Sequence, residues 1–226
     1  MVYFANMVRK TTSPKTHSPR IQRKRAERQE LIVDTAMNLL IEGGLANVTV
    51  GRLAKELDYT PGALYRYFPS MEVLLAHMQR RAIDALQLRV GKAVVALGPD
   101  AAPLARIRAA AGAYLQSSVD ATHEMSLVSQ MLAVPQPLLG EETSMQTAPR
   151  IIAVLQFVEA LITSAQDSGA LEPGPAQVRT VQLWAALQGA VQLGKLTRFD
   201  PVFSARNIGE SLVEDLLTGW GASPSG

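Results

Sequence analysis

TVGRLAKELDYTPGALYRYFPS, Thr49 to Ser70, is the stretch on which the fold turns. Tyr65, Tyr67 and Phe68 crowd into four positions of a chain that is only 5% aromatic. The segment is punctuated by helix caps rather than by strand signals. Thr49 stands as the N-cap of a short helix over 50–57, with Leu53, Ala54 and Leu57 on its inner face. Asp58-Tyr59 form a tight turn. Thr60 caps the next helix, and Pro61 takes its first position, where a missing N–H costs nothing. That helix is expected to end near Phe68-Pro69, with Leu64 and Phe68 four apart on its buried face. Ser70 then caps a fourth helix, and Glu72 in its first turn complements the helix dipole.

Two short helices across a turn of three or four residues make a helix-turn-helix unit, here at about 48–67. The second helix of such a unit enters the major groove and presents side chains from its N-terminal end. Pro61, Gly62 and Ala63 are small enough to let that end approach base edges. Tyr65, Arg66 and Tyr67 must include outward positions; Tyr hydroxyls suit phosphates, and Arg66 suits a phosphate or guanine O6/N7. The helix starts at Thr49, Thr60 and Ser70 offer N–H groups to phosphate. By pattern alone, the same aromatics also fit the core of a small domain.

Ahead of this unit, Ile32, Ala36, Leu39 and Leu40 mark one face of a long helix beginning at Ile21 and stopped by Gly43-Gly44. Residues 1–20 mix Ser, Thr, Pro and basic residues without an apolar period and are expected to be disordered. The formal net charge is +2, but residues 1–30 hold eight Lys/Arg against two Glu. A basic arm before a near-neutral body fits either a polyanion partner or a solvated tail. Beyond the unit, apolar helical patterns run through 71–97, 103–120, 122–134, 147–168, 176–197 and 204–219. Pro149 reads as a break or as a first-turn residue of its helix. Strand alternation is absent, so the expected class is all-α.

Cysteine is absent, which removes disulfides, thiolate metal sites and a Cys nucleophile, and makes a reducing cytoplasm the natural compartment. No continuous run of about 18 apolar residues suggests a membrane partner. His17, His77 and His123 have no metal-ligand spacing, and no phosphate loop or nucleophile–base motif occurs. Neither a catalytic residue, a metal nor a cofactor is therefore expected, and Glu141-Glu142 read as a solvated pair.

VTVGRLAKELDYTPGALYRYFPSMEVLLAHM, residues 48–78, resembles the DNA-binding signature of TetR-family transcriptional repressors of the TetR/AcrR type. The matching positions are Thr49, Leu53, Ala54, Leu64, Tyr65, Tyr67, Phe68, Ser70 and Leu74. IVDTAMNLLIEGGLANVT, before it, is similar to the family's first helix and Gly turn. The resemblance covers about residues 25–85; SAQDSGALEPG and LWAALQGAVQLGKL look like the family's later helices. Three positions depart from the pattern. Asp58 replaces the usual turn Gly, Met71 replaces a Lys, and Gly51 replaces a basic residue.

The resemblance implies a DNA-binding domain at 21–85 and an effector-binding and dimerisation domain at 86–226. It further implies a homodimeric repressor, released from a palindromic double-stranded DNA operator by a small, largely apolar effector. Thr49, Thr60, Pro61, Gly62, Ala63, Tyr65, Arg66 and Tyr67 would carry the DNA contact. Ala185, Ala186, Gly189, Ala190 and Gly194, with the stripe Ile208, Leu212, Val213, Leu216 and Leu217, fit a four-helix interface between two copies, or packing within one. His123, Met131, Phe157, Trp184 and Gln188 are candidates for the effector pocket. An architectural or protein-responsive DNA-binding protein without a small effector is the alternative.

Overall fold

The computed structural model describes residues 18–133 and 141–223, without side chains at 130–133, 141–144 and 146. The basic arm before Ser18 and the side chain of Met131 lie outside the described residues. Among those described, regular structure is entirely helical. The chain runs through α1 (Pro19–Gly43), α2 (Val50–Glu56), α3 (Pro61–Tyr65), α4 (Met71–Val95) and α5 (Pro103–Asp120). It continues through α6 (Thr122–Ala133), α7 (Glu141–Asp167), α8 (Ala176–Leu193) and α9 (Ala205–Gly219).

Local chemistry sets the helix ends. Thr49, Thr60 and Ser70 each accept the backbone N–H three residues on, from Arg52, Ala63 and Val73. Gly44 ends α1 with φ +73, and Asp58 makes the turn after α2 with φ +53, the left-handed region that Asp tolerates better than most residues. A single 3-10 turn at Leu45–Asn47, absent from the sequence pattern, joins α1 to α2.

Three expected boundaries move. α3 ends at Tyr65 rather than near Phe68, because Pro69 disfavours helical backbone at the residue before it. The Tyr67 and Phe68 amides both turn back to the Leu64 carbonyl. α7 begins at Glu141 and carries Pro149 in its interior, so Pro149 is no break. α8 stops at Leu193 and tightens into a 3-10 turn over Gly194–Arg198. There Gly194 lies so near Ala205 that a Cβ on it would sit 2.8 Å from the Ala205 methyl.

Two apolar cores result. The first gathers Ile32, Ala36 and Leu40 of α1 with Leu53, Leu64 and Phe68, and with Leu74 and Met78 of α4. The second joins Ile83, Leu86 and Val90 of α4 to Ile107, Leu115, Ile162, Leu183, Leu187, Val213 and Leu217. The two meet along α4 between Met78 and Ala82. α6 also enters both, with Leu127 in the first and Met125 and Val128 in the second. Within α7, Thr147–Asp167 has a mean hydropathy of 1.4, long and apolar enough by composition to span a bilayer. In this fold Ile162 and Ala165 of that stretch are fully buried in the second core.

Candidate nucleic-acid interface and ligand cavity

Helix α3 is one and a half turns long and cannot hold itself. Leu64 and Phe68 anchor it in the first core, and Phe68 meets the His77 ring edge-on at 5.1 Å. The carbonyls just past its end are taken by α1: Arg25 donates to the Arg66 carbonyl at 3.0 Å, and Gln29 to the Tyr67 carbonyl at 3.1 Å. Arg28 donates to the Tyr59 hydroxyl at 2.5 Å, and the Tyr59 ring stacks on Tyr67. That bond holds the Arg28 guanidinium pKa above its usual value. α1 thus clamps both the turn before α3 and the segment that follows it.

The anchoring leaves an outward set. Thr49, Thr60, Pro61, Gly62, Tyr65 and Arg66 are exposed, and Ala63 is half-buried. A Cβ at Gly62 would meet only open space, so nothing inside the protein requires glycine there. The small start of α3 leaves room for something outside the chain. Tyr67 is half-buried against Tyr59, so Tyr65 and Arg66 are the more outward members of the trio. Beside them an open groove is lined by Lys24, Arg25, Arg28 and Arg66, with Glu27 as its one acidic residue. Met71, where the resemblance leads one to expect Lys, packs against the first core, and Gly51 faces open space.

The second core encloses a cavity of ≈ 60 Å³ between α4, α5, α7 and α8. Ile83, Leu86 and Val90 form one wall and Val154, Leu155 and Val158 another. Tyr114, Thr180 and Trp184 are the lining residues that carry polar side-chain atoms. The Tyr114 hydroxyl donates to Gln188 Oε1 at 2.5 Å and accepts from Trp184; burial pushes its pKa up to about 12, so it stays protonated. The Gln188 Nε2 is buried without a partner. Of the pocket candidates, Trp184 lines the cavity and Gln188 bonds to a residue that does. Phe157 instead borders a surface groove with Leu88, Gly91 and Val95 of α4. His123 is exposed at the α1 turn, where a Cβ on Gly44 would lie 3.6 Å from its Nδ1.

α4 connects the two regions. Its Arg81 pairs with Glu30 at 2.6 Å and with Asp34, both on α1. Its Asp84 takes Arg150 of α7 at 2.9 Å. The sequence pattern pointed to none of Arg25, Arg28, Gln29, Arg81 or Tyr114. Their partners lie 31 to 74 residues away in the chain, beyond the reach of any local signal.

Residues 32–78 match the family described as bacterial regulatory proteins, tetR family. The nucleoid occlusion factor SlmA of Haemophilus influenzae is 36% identical over 80 residues, covering 33% of this chain and 37% of its own. The HTH-type transcriptional repressor KstR of Mycolicibacterium smegmatis is 32% identical over 72 residues, 32% of this chain and 35% of its own. The alignments therefore span little more than a third of these curated relatives. Solved structures match over most of both chains. A tetR-family regulatory protein from Rhodococcus RHA1 gives a TM-score of 0.65 at 18% identity, covering 86% of this chain and 97% of its own. RolR in complex with resorcinol gives 0.65 at 15%, covering 89% and 91%. AibR in complex with isovaleryl coenzyme A and operator DNA gives 0.63 at 20%, covering 84% and 98%. At these identities the structural likeness is one of fold. Residues 32–78 thus carry the helix-turn-helix domain of the tetR family of regulatory proteins, within an all-helical architecture shared with solved tetR-family regulators.

Proposed function

We propose that the protein is a cytoplasmic, homodimeric repressor that leaves a palindromic operator when a small, largely apolar effector enters the cavity of its second core. The domains on this reading are 21–85 for DNA and 86–226 for effector and dimer. Thr49, Thr60, Pro61, Gly62, Ala63, Tyr65, Arg66 and Tyr67 face the operator. α8 and α9 make the dimer.

The observation that carries the reading is the shared helix. Ile83, Leu86 and Val90 line the cavity, while Leu74 and Met78 of the same helix sit in the core that anchors α3. A wall that moves to admit a ligand moves α4, and α4 holds α1 through Arg81. Two recognition helices of a dimer read half-sites about 34–36 Å apart, so a small tilt of α4 in each protomer alters their match to the operator. The dimer reading is supported by α8. Val178, Val181 and Leu193 are exposed along it, and a Cβ at Gly189 would meet open space. That face gives room for a second copy.

SlmA, a nucleoid occlusion factor similar over the helix-turn-helix region, favours a second reading: a DNA-binding protein that answers to no small effector. One experiment separates the two. Genomic fragments bound by the protein are sequenced to find the operator, and compounds are screened for its release. A releasing compound is then titrated into the free protein and into the operator complex. Coupling of about 1–3 kcal/mol makes it bind roughly 5- to 150-fold more weakly to the complex. Equal affinity in both titrations, or a screen without release, favours the second reading.

A further inference from the structure

A second cleft, which shares no lining residue with the cavity, lies between the α5–α6 junction and the turn from α8 into α9. We infer that it is a separate ligand site, built for a small polyhydroxylated molecule that carries a phosphate group.

The two walls of the cleft differ in the hydrogen bonds they have left to make. On the α5–α6 wall the hydroxyl protons are engaged within the protein. Ser118 donates to the Leu115 carbonyl at 2.7 Å, Thr122 to those of Ser118 and Val119 at 3.1 Å, and Ser126 to that of His123 at 2.6 Å. A carbonyl only accepts, so these directions are fixed. What this wall keeps is lone pairs, which suit the hydroxyl protons of a polyol. The opposite wall holds donors. Lys195 is exposed, and no carboxylate among the described residues pairs with it. Ser204 accepts the Asn207 amide at 3.1 Å and so has its own proton to give. Arg206 bonds to Gln116 and pairs with Glu210 at 3.5 Å, and a guanidinium carries more N–H groups than these partners use. Thr197, on the same wall, donates to the Gly194 carbonyl and adds one acceptor.

Charge selects an anion. Lys195 and Arg206 line the cleft, and among its described lining residues there is neither Asp nor Glu. Asp120 and Glu210, the acids nearest along the chain, lie off the lining and already accept from Gln116 and Arg206. A phosphate monoester carries about −1.5 to −2 charge at neutral pH and three strong acceptor oxygens, so it engages two cations and a hydroxyl at once. Size agrees. The cleft holds ≈ 760 Å³, within the roughly 300–1,000 Å³ of small-molecule sites, and Met125 and Val191 give it an apolar floor for a carbon skeleton.

The test is titration calorimetry of the full-length protein in phosphate-free buffer, with glucose 6-phosphate, ribose 5-phosphate, glucose and inorganic phosphate as probes. At least one sugar phosphate should bind about 10-fold or more tightly than glucose and than inorganic phosphate, the range of a charge-assisted hydrogen bond. Lys195→Glu reverses an exposed, unpaired charge without touching a core, and should weaken that sugar phosphate by about 10-fold or more. Thr122→Val removes an acceptor from the other wall. It should weaken the sugar phosphate by about 2- to 10-fold and leave inorganic phosphate unchanged. Circular dichroism checks that both variants fold, and the wild-type ranking decides the matter if either does not. Absence of binding by both sugar phosphates, glucose or inorganic phosphate binding as tightly as they do, or full affinity in K195E would overturn the inference. Because the two sites share no lining residue, none of these results touches the reading of the cavity.

Discussion

The two cores put their apolar and polar groups to opposite uses. Around α3, apolar side chains are inside and what remains outside is small or polar: Gly62, Tyr65, Arg66. Around the cavity, the polar groups of Tyr114 and Gln188 are inside, while Val178, Val181 and Leu193 stand exposed on α8. A surface for a charged polymer needs a firm apolar base beneath it. A site for a small ligand needs polar atoms where water cannot compete, and a surface for a second subunit needs apolar groups in the open. The family match at 32–78 falls within the first of these regions.

The largest test is aimed at the base under α3. Phe68 is almost fully buried against His77 and the first core. Phe68→Ala should cost about 3–5 kcal/mol in the stability of that core and abolish operator binding. Chemical denaturation followed by circular dichroism, with the fluorescence of Trp184 and Trp220, both in the second core, reporting that region, separates the two. A loss below about 1 kcal/mol would mean that Arg25, Arg28 and Gln29, rather than apolar burial, hold α3.

The exposed face of α8 supplies the next test. Because a Cβ at Gly189 meets open space in the protomer, Gly189→Trp should leave the fold intact and strain only the dimer. Overpacking of about 1–3 kcal/mol would raise the dimer dissociation constant by roughly 5- to 150-fold. Analytical ultracentrifugation measures it. An unaltered assembly state places the interface elsewhere and removes the contrast between the two surfaces.

How far the sequence disclosed all this depends on range. Thr49, Thr60, Ser70, Leu64 and Phe68 act through neighbours three or four residues away, and residue type with spacing reveals them. The end of α3 was legible only in part: Pro69 marks a stop nearby, but the Arg66 and Tyr67 carbonyls are taken by α1 donors 41 and 38 residues distant. The passage of α7 through Pro149 was hidden too, because a proline signals the lost N–H but not the packing that outweighs it. In the second core, helical periodicity identifies inward faces without saying which inward residues converge. Trp184 therefore lies at the cavity while Phe157, equally apolar and on a neighbouring helix, borders α4 on the outside.

A smaller effect should come from the outward trio. Arg66 is exposed, and its backbone carbonyl, not its guanidinium, is the group bonded to α1. Arg66→Ala should weaken operator binding by about 1–3 kcal/mol if the guanidinium makes a bidentate base contact, without loss of stability. Fluorescence anisotropy of a labelled operator measures the first, and thermal melting the second. Unchanged affinity with an intact fold removes Arg66 from the interface.

The smallest expected effect lies at His77, where the two regions approach one another along α4. Its ring is half-buried against Phe68. Burial is the main force lowering its pKa from the ordinary 6.5; Arg80 and Arg150 lower it further, and Glu30 opposes them. The folded state therefore takes up its proton less readily than the unfolded chain. Between the two values the unfolded state binds more protons, so stability rises with pH there. The contribution of His77 is fully present above 6.5 and is lost as pH falls through that value toward the lower, folded one. Replacing His77 with Gln, which does not titrate, should flatten this part of the pH dependence of unfolding. Urea titrations at a series of pH values below neutrality, for both proteins, provide the comparison. Parallel curves would assign the acid sensitivity to other groups and leave His77 as a packing partner of Phe68 alone.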